Sequence, residues 1–199
     1  FDKFKKARIQ EALESDVLFF SKFAEESINI SSFLQRLAES DKKLSPEFML
    51  DLFANAERRF IEGKIDDAIL RFYRLVEMLA QERLSKIHNI DTADVLVEKI
   101  PASLRDEYMK VYRNTRDGKI RLPQGAAFNL LFELQDELGI LFENNKSKFL
   151  NIQSSRNQSY LAHGFSSSKE QTYLDLRSFI IDLGIIPYEN APKFPQMEV

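Results

Sequence analysis

Cysteine is absent from this chain of 199 residues, and histidine occurs only twice, as His88 and His163. The absence of cysteine excludes disulfide bonds, a thiolate zinc site and a cysteine nucleophile. Two histidines are too few for a histidine-cluster metal site, so any histidine chemistry must use one of these two side chains. The sequence therefore favours a protein that works without a metal ion or another cofactor.

Glycine and proline are scarce, with six residues of each, which argues against an all-β chain rich in turns. No apolar run approaches the roughly 18–20 residues of a membrane span, and no signal-peptide pattern opens the chain. Together with the lack of cysteine, these absences favour a cytoplasmic protein that has no membrane partner. Residue 1 is Phe, and we interpret the chain as a fragment of a longer protein.

The formal net charge is −3 at pH 7, so the molecule as a whole is not a polycation. A nucleic-acid function would therefore depend on a local basic patch.

Apolar residues recur at helical spacing over the first forty residues and predict a long helix, with Ser15-Asp16 as a candidate break. A second helix should begin at Ser45-Pro46, with Ser as the cap and Pro at the first helical position, and end at Gly63. The next helix should run from about Asp66 to Ile87.

The rest of the chain also gives mainly helical signals, with a turn at Asp117-Gly118. The predicted helices are two short ones around 96–100 and 102–111, then Pro123 to Leu138 ended by Gly139, Phe142 to Ala162, and a last one after a capping box at Ser167-Ser168-Lys169-Glu170. The fold class is thus all-α. We predict an N-terminal helical extension (1–44), a helical bundle (45–186) and a C-terminal tail (187–199).

The segment from Ala56 to Ala68 is similar to the helix–turn–helix junction of a tetratricopeptide unit. A second copy 34 residues away is missing, and a single unit cannot stack into a solenoid. An antiparallel helical hairpin within a bundle is the favoured interpretation, with a peptide-binding scaffold as the alternative.

One pair of residues could carry chemistry on a helix, Arg156 (followed by Asn157) and His163. A separation of seven residues places them within about 20° of one helical face. Arg83 and His88 are only five apart, about 140° around a helix, and are predicted to point in different directions. The alternative is that Arg156 and His163 form ordinary surface salt bridges.

Charge also favours the Arg156–His163 pair, because the surrounding segment 144–169 contains no carboxylate whereas the preceding segment 122–145 contains no cation. The sequence from Arg156-Asn157 to Ala162-His163-Gly164 resembles the motif of HEPN ribonucleases, most of all the effectors that join a CARF sensor domain to a HEPN domain in CRISPR systems. The resemblance implies that Arg156, Asn157 and His163 are catalytic. It also implies a homodimer that cleaves single-stranded RNA without a metal ion, and activation by a cyclic oligoadenylate bound to a missing N-terminal CARF domain.

Further cations are candidates for contact with the RNA phosphates. They are Lys146 and Lys148 near the motif, and Arg113, Arg116, Lys119 and Arg121 in a basic loop. The alternative function is that of a non-catalytic HEPN or tetratricopeptide-like module that dimerises or binds a partner.

Overall fold

The computed structural model describes residues 2–40, 44–161, 166–184, 187–188 and 191–192. Within these residues the chain forms seven α-helices and one short 3₁₀ turn, and the only β pairing is an isolated bridge between Arg113 and Ile120. The helices are α1 (Asp2–Glu39), α2 (Pro46–Ile61), α3 (Ile65–His88), α4 (Ala102–Val111), α5 (Gln124–Glu133), α6 (Glu137–Leu161) and α7 (Ser166–Asp182), and the 3₁₀ turn is Val97–Lys99. The all-α prediction is confirmed. No helix in the described part of the chain is both long and apolar enough to cross a membrane.

The predicted start of α2 is confirmed by its hydrogen bonds. The Ser45 hydroxyl accepts the backbone N–H of Phe48 at 3.3 Å, and Pro46 occupies the first helical position, where its missing N–H has no cost. Gly63, at φ 73°, turns the chain directly into α3. The resulting α2–α3 hairpin packs with α5 and α7 in a bundle, as the favoured interpretation predicts.

Two helix boundaries differ from prediction in the region 123–142. The predicted helix from Pro123 to Leu138 is in fact two, because α5 ends at Glu133 and Gln135 adopts a left-handed φ of 57°. Asp136 then caps α6, since its carboxylate accepts the backbone N–H of Leu138 at 2.9 Å.

Gly139 lies in the first turn of α6 and does not end a helix. A Cβ at this position would lie 2.8 Å from Cβ of Leu131 and still closer to the backbone of Leu131 and Phe132. The glycine therefore allows α5 and α6 to approach each other closely, which periodicity alone did not reveal. The start of α7 also differs, by two residues, since a cap at Ser167 predicts Ser168 as the first helical residue and the helix begins at Ser166.

The core is formed by the packing of α3 with α2, α5 and α7, and of α6 with α5 and α7. Several aromatic pairs connect its helices. Phe60 stacks on Tyr173 with ring centroids 3.9 Å apart, and Phe128 stacks on Phe142 at 3.7 Å. The hydroxyl of Tyr108 donates to the carbonyl of Ala126 at 2.8 Å and ties α4 to α5.

Helix α1 is continuous through the predicted break and contacts the bundle through α2. Phe33 of α1 is buried. Five large apolar side chains of α1 are more than half exposed, namely Leu13, Val17, Leu18, Phe20 and Ile28. These five side chains therefore lie outside the core, and the division of the chain at residue 44 stays a prediction.

Candidate active site

The position of the Arg156–His163 motif depends on α6. Asp136 caps the amino end of this helix, and Phe142, Phe149 and Ile152 are buried along it. These apolar residues hold α6 between α5 and α7. The long carboxyl-terminal part of α6 therefore extends from a firmly packed base.

The described backbone of α6 is helical through Arg156 and Asn157 and continues to Leu161. This agrees with the prediction that both residues lie on a helix. Their side chains are outside the described part of the chain, and His163 lies outside the described residues altogether. The roles of the three residues therefore stay predictions.

The second Arg–His pair has a clear structural position. Nε of Arg83 lies 2.9 and 3.0 Å from the two carboxylate oxygens of Asp136, and Nε2 of His88 lies 2.9 Å from one of them. The prediction that Arg83 and His88 point in different directions is therefore wrong. The long Arg83 side chain and the position of His88 at the end of α3 let both reach one carboxylate beyond the helix end.

Arg83, His88 and Asp136 form a cluster whose electrostatics favour a structural role. Burial raises the pKa of Asp136, but hydrogen bonds from His88 and Arg83 outweigh that effect and hold the pKa below its usual value. The Asp136 side chain is only 3% exposed, and the cluster joins the end of α3 to the start of α6. Sequence spacing could not have revealed Asp136, which is 48 residues from His88.

The two predicted lysines near the motif are each paired with a carboxylate. Nζ of Lys146 lies 2.9 Å from Glu143, and Nζ of Lys148 lies 2.8 Å from Asp182 on α7. The segment 144–169 itself has no carboxylate, but folding brings carboxylates from outside it to these two lysines. The positive charge available there is smaller than the sequence suggests.

The four predicted cations of the basic loop lie on one turn, which the Arg113–Ile120 bridge closes. Lys119 pairs with Asp94 at 2.6 Å, and the hydrogen bond raises the pKa of Lys119. Arg121 pairs with Asp117, and this contact lowers the pKa of that carboxyl.

The other two arginines of the loop are differently placed. Nε of Arg113 donates to the carbonyl of Gly118 at 3.1 Å, and both Arg113 and Arg116 are exposed. Neither has an ion pair with a described carboxylate. In the part of the chain that the structure describes, no hydrogen bond or ion pair joins this loop to Lys146 or Lys148.

Comparison with known families decides the family. The family model described as the Csm6 HEPN domain matches residues 38–186. The chain belongs to the Csm6 HEPN domain family. Searches of curated proteins and of solved structures returned no match. Membership of this CRISPR-associated family indicates a ribonuclease effector role. The match begins one residue before the end of α1, so almost all of that helix is outside it.

Proposed function

We propose that the chain is a metal-independent endoribonuclease domain that cleaves single-stranded RNA as a homodimer. The observation that carries the proposal is the family match over 38–186, which includes the sequence from Arg156 to His163. The resemblance assigns Arg156, Asn157 and His163 to catalysis. Arg113, Arg116, Lys119, Arg121, Lys146 and Lys148 are the proposed phosphate contacts.

The proposed reaction uses the nucleophile that RNA carries, its 2′-hydroxyl. A base removes the proton from this hydroxyl, the hydroxyl oxygen attacks the phosphorus, and an acid protonates the leaving 5′-oxygen. An imidazole can serve as base or acid near neutral pH, so we assign proton transfer to His163, and the Arg156 guanidinium matches the oxygens of the charged phosphorane. The products are a 2′,3′-cyclic phosphate and a free 5′-hydroxyl.

The family resemblance implies the proposed homodimer, and the number of groups that the reaction needs supports it. One chain supplies a single motif histidine, whereas the reaction needs both a base and an acid. Two motifs that face each other across a dimer interface would supply two imidazoles and two guanidinium groups. Activation by a cyclic oligoadenylate through a CARF domain, and a cytoplasmic location, are further proposals that rest on the family resemblance.

A ribonuclease assay with excess EDTA tests the proposal. We expect cleavage at an unchanged rate, with products that end in 2′,3′-cyclic phosphate, because neither the nucleophile nor the acid–base groups require a metal ion. An all-deoxy strand of the same sequence should bind without being cut, since it lacks the 2′-hydroxyl. A requirement for divalent metal in the chemical step would overturn the mechanism.

The second candidate is a non-catalytic helical module that dimerises or binds a partner. The pairing of Lys146 with Glu143 and of Lys148 with Asp182 favours it, because these contacts reduce the positive charge available to RNA. The assay separates the two candidates. An intact dimer that binds RNA without cleaving it, in the presence and absence of metal ions, would support the second.

A further inference from the structure

A small open cavity of about 100 Å³ lies between the amino-terminal half of α5 and the middle of α6. Phe128, Phe142, Phe149 and Leu150 form its apolar wall, and Gln124, Asn129, Gln153, Glu143 and Lys146 supply polar groups. For comparison, a closed cavity of about 150 Å³ in another protein accommodates benzene. The present cavity is smaller but open, so it can accept one edge of a planar ring while the rest of the ring stays outside.

The polar groups of the cavity are mostly carboxamides, from Gln124, Asn129 and Gln153. Each carboxamide has a donor and an acceptor side by side, as the edge of a nucleobase does. Nε2 of Gln124 is buried and has no hydrogen-bond partner among the described residues. A buried donor without a partner is costly, so a ligand that offers an acceptor at this point would remove that cost.

The charges of the cavity compensate each other. Both carboxylate oxygens of Glu143 accept hydrogen bonds from Nζ of Lys146, at 2.9 and 3.1 Å. Because the carboxylate is neutralised by its neighbour, the cavity does not repel a polyanion as an isolated glutamate would. An uncharged ring attached to a phosphate backbone is compatible with this arrangement.

The cavity lies on a face of α6 that leads to the motif. Lys146, Leu150 and Gln153 follow each other at intervals of four and three residues, and the next position on this face is Asn157. Along the helix axis, Gln153 and Asn157 are about 6 Å apart. An RNA strand that contacts Asn157 would therefore pass the cavity within one or two nucleotides.

We propose that this cavity binds one base of single-stranded RNA next to the cleaved bond, with the Gln124 and Gln153 carboxamides at the base edge. The proposal rests on the proposed function for the nature of the substrate. It adds a subsite that selects the base, separate from the groups that perform the cleavage.

The test compares short labelled RNAs of one sequence, each lacking the base of one nucleotide, with the intact strand. Binding to the full chain is measured by fluorescence anisotropy, and cleavage by gel. For the wild type we expect one abasic position to weaken binding about tenfold, within the range for a base stacked on a protein.

The variants are Gly125→Leu, which fills the cavity, and Gln124→Leu with Gln153→Leu, which removes the two carboxamides. A Cβ at Gly125 has no atom within 4 Å, so a side chain that starts there meets no clash at its first atom. Each variant should weaken binding of the intact strand about tenfold and leave binding of that abasic strand unchanged. The matched control is Gln171→Leu, on α7, whose amide bonds to Asp175 and does not line the cavity.

The outcomes separate this inference from the proposed function. If every abasic position weakens RNA binding equally, in the wild type and in the variants, the cavity proposal is overturned. The ribonuclease proposal then still stands. A second outcome is that binding depends on one base, that the cavity variants remove this dependence, and that no RNA is cleaved. This outcome would support the cavity proposal and overturn the ribonuclease proposal. A loss of binding that is the same for intact and abasic strands also overturns the cavity proposal.

Discussion

Nε2 of His88 lies 2.9 Å from the Asp136 carboxylate, and this contact joins the last residue of α3 to the cap of α6. A carboxylate can only accept, so Nε2 carries the proton. Arg83 donates to both oxygens of the same group. In the sequence, Arg83 and His88 resemble a catalytic pair. In the structure both side chains bind Asp136, and the three residues form a clamp that holds α3 and α6 together.

The first prediction concerns the stability that this clamp provides. Asp136→Asn should lower the free energy of unfolding by about 2–3 kcal/mol at pH 7, because it leaves the Arg83 charge without its partner. Asparagine is itself a good cap, so the change isolates the charge from the capping of α6. Chemical denaturation measures the difference.

Asp136→Asn should also change how the free energy of unfolding depends on pH below pH 7. The pKa of Asp136 is lowered in the folded protein, so its contribution is complete above the unfolded pKa of about 3.9 and is lost as the pH falls through the folded value. The gap between wild type and Asp136→Asn should therefore shrink from pH 7 to pH 3. Asp106→Asn, at an exposed position, is the control and should show no gap. A gap that is constant with pH would contradict the assignment.

The second prediction concerns the chemistry. His163→Ala should slow cleavage by about 10²–10⁴, the range for the loss of an acid–base group. Arg156→Ala should slow it by about 10²–10³, as for the loss of one transition-state donor, and Asn157→Ala should cost less. Single-turnover rates at saturating RNA give these ratios directly.

His88→Ala is the matched control for that series. It should lower stability, because Asp136 loses one donor, yet leave the rate near that of the wild type below the unfolding transition. If His88→Ala abolishes cleavage in folded protein and His163→Ala does not, the assignment of the motif is wrong.

The third prediction tests the composite site. When wild-type and His163→Ala chains exchange freely, a mixed dimer has one imidazole where the reaction needs two. Activity should then fall as the square of the wild-type fraction, so that an equal mixture retains about a quarter, against about half for independent sites. Tagged pull-down establishes the exchange. A linear decline would remove the composite site and leave the family assignment unaffected.

The fourth prediction separates cations on the same loop. Arg116→Ala should weaken RNA binding and reduce the slope of log K against log salt by about 0.7, the value for one phosphate contact on a single strand. Arg121→Ala should have a smaller effect, because its guanidinium is already paired with Asp117. Titrations at several KCl concentrations measure both slopes. Equal slopes for the two variants would show that the ion pair does not restrict Arg121.

The fifth prediction concerns the close contact of α5 and α6. Gly139→Ala should destabilise the protein by about 3 kcal/mol, because its Cβ would meet the backbone of Leu131 and Phe132. Gly125→Ala, also in a helix but with open space around it, should be neutral or stabilise by up to about 1 kcal/mol. Denaturation midpoints of the two variants provide the comparison. Similar values for both would exclude a close approach at Gly139.

Much of the helical architecture was predictable because its signals are local. Ser45-Pro46 caps α2 as expected, and the apolar stripe of α3 matches its bounds closely. The prediction of one helix that ends at Gly139 is wrong, because a glycine at this position is typical of a helix end unless the neighbouring helix is known. The placement of Arg156 and Asn157 on a helix was also predictable, since it depends only on periodicity.

By itself, the sequence determined the fold class, the sites of most helices and the family motif, since helix periodicity, caps and motif spacing involve residues that are close in the chain. Only the tertiary structure decided which charges that are far apart in the chain are paired. Lys148 meets Asp182, 34 residues away, and Arg83 and His88 meet on Asp136. Such pairings depend on how the helices pack against one another, and the separation of two residues along the chain contains no information about that.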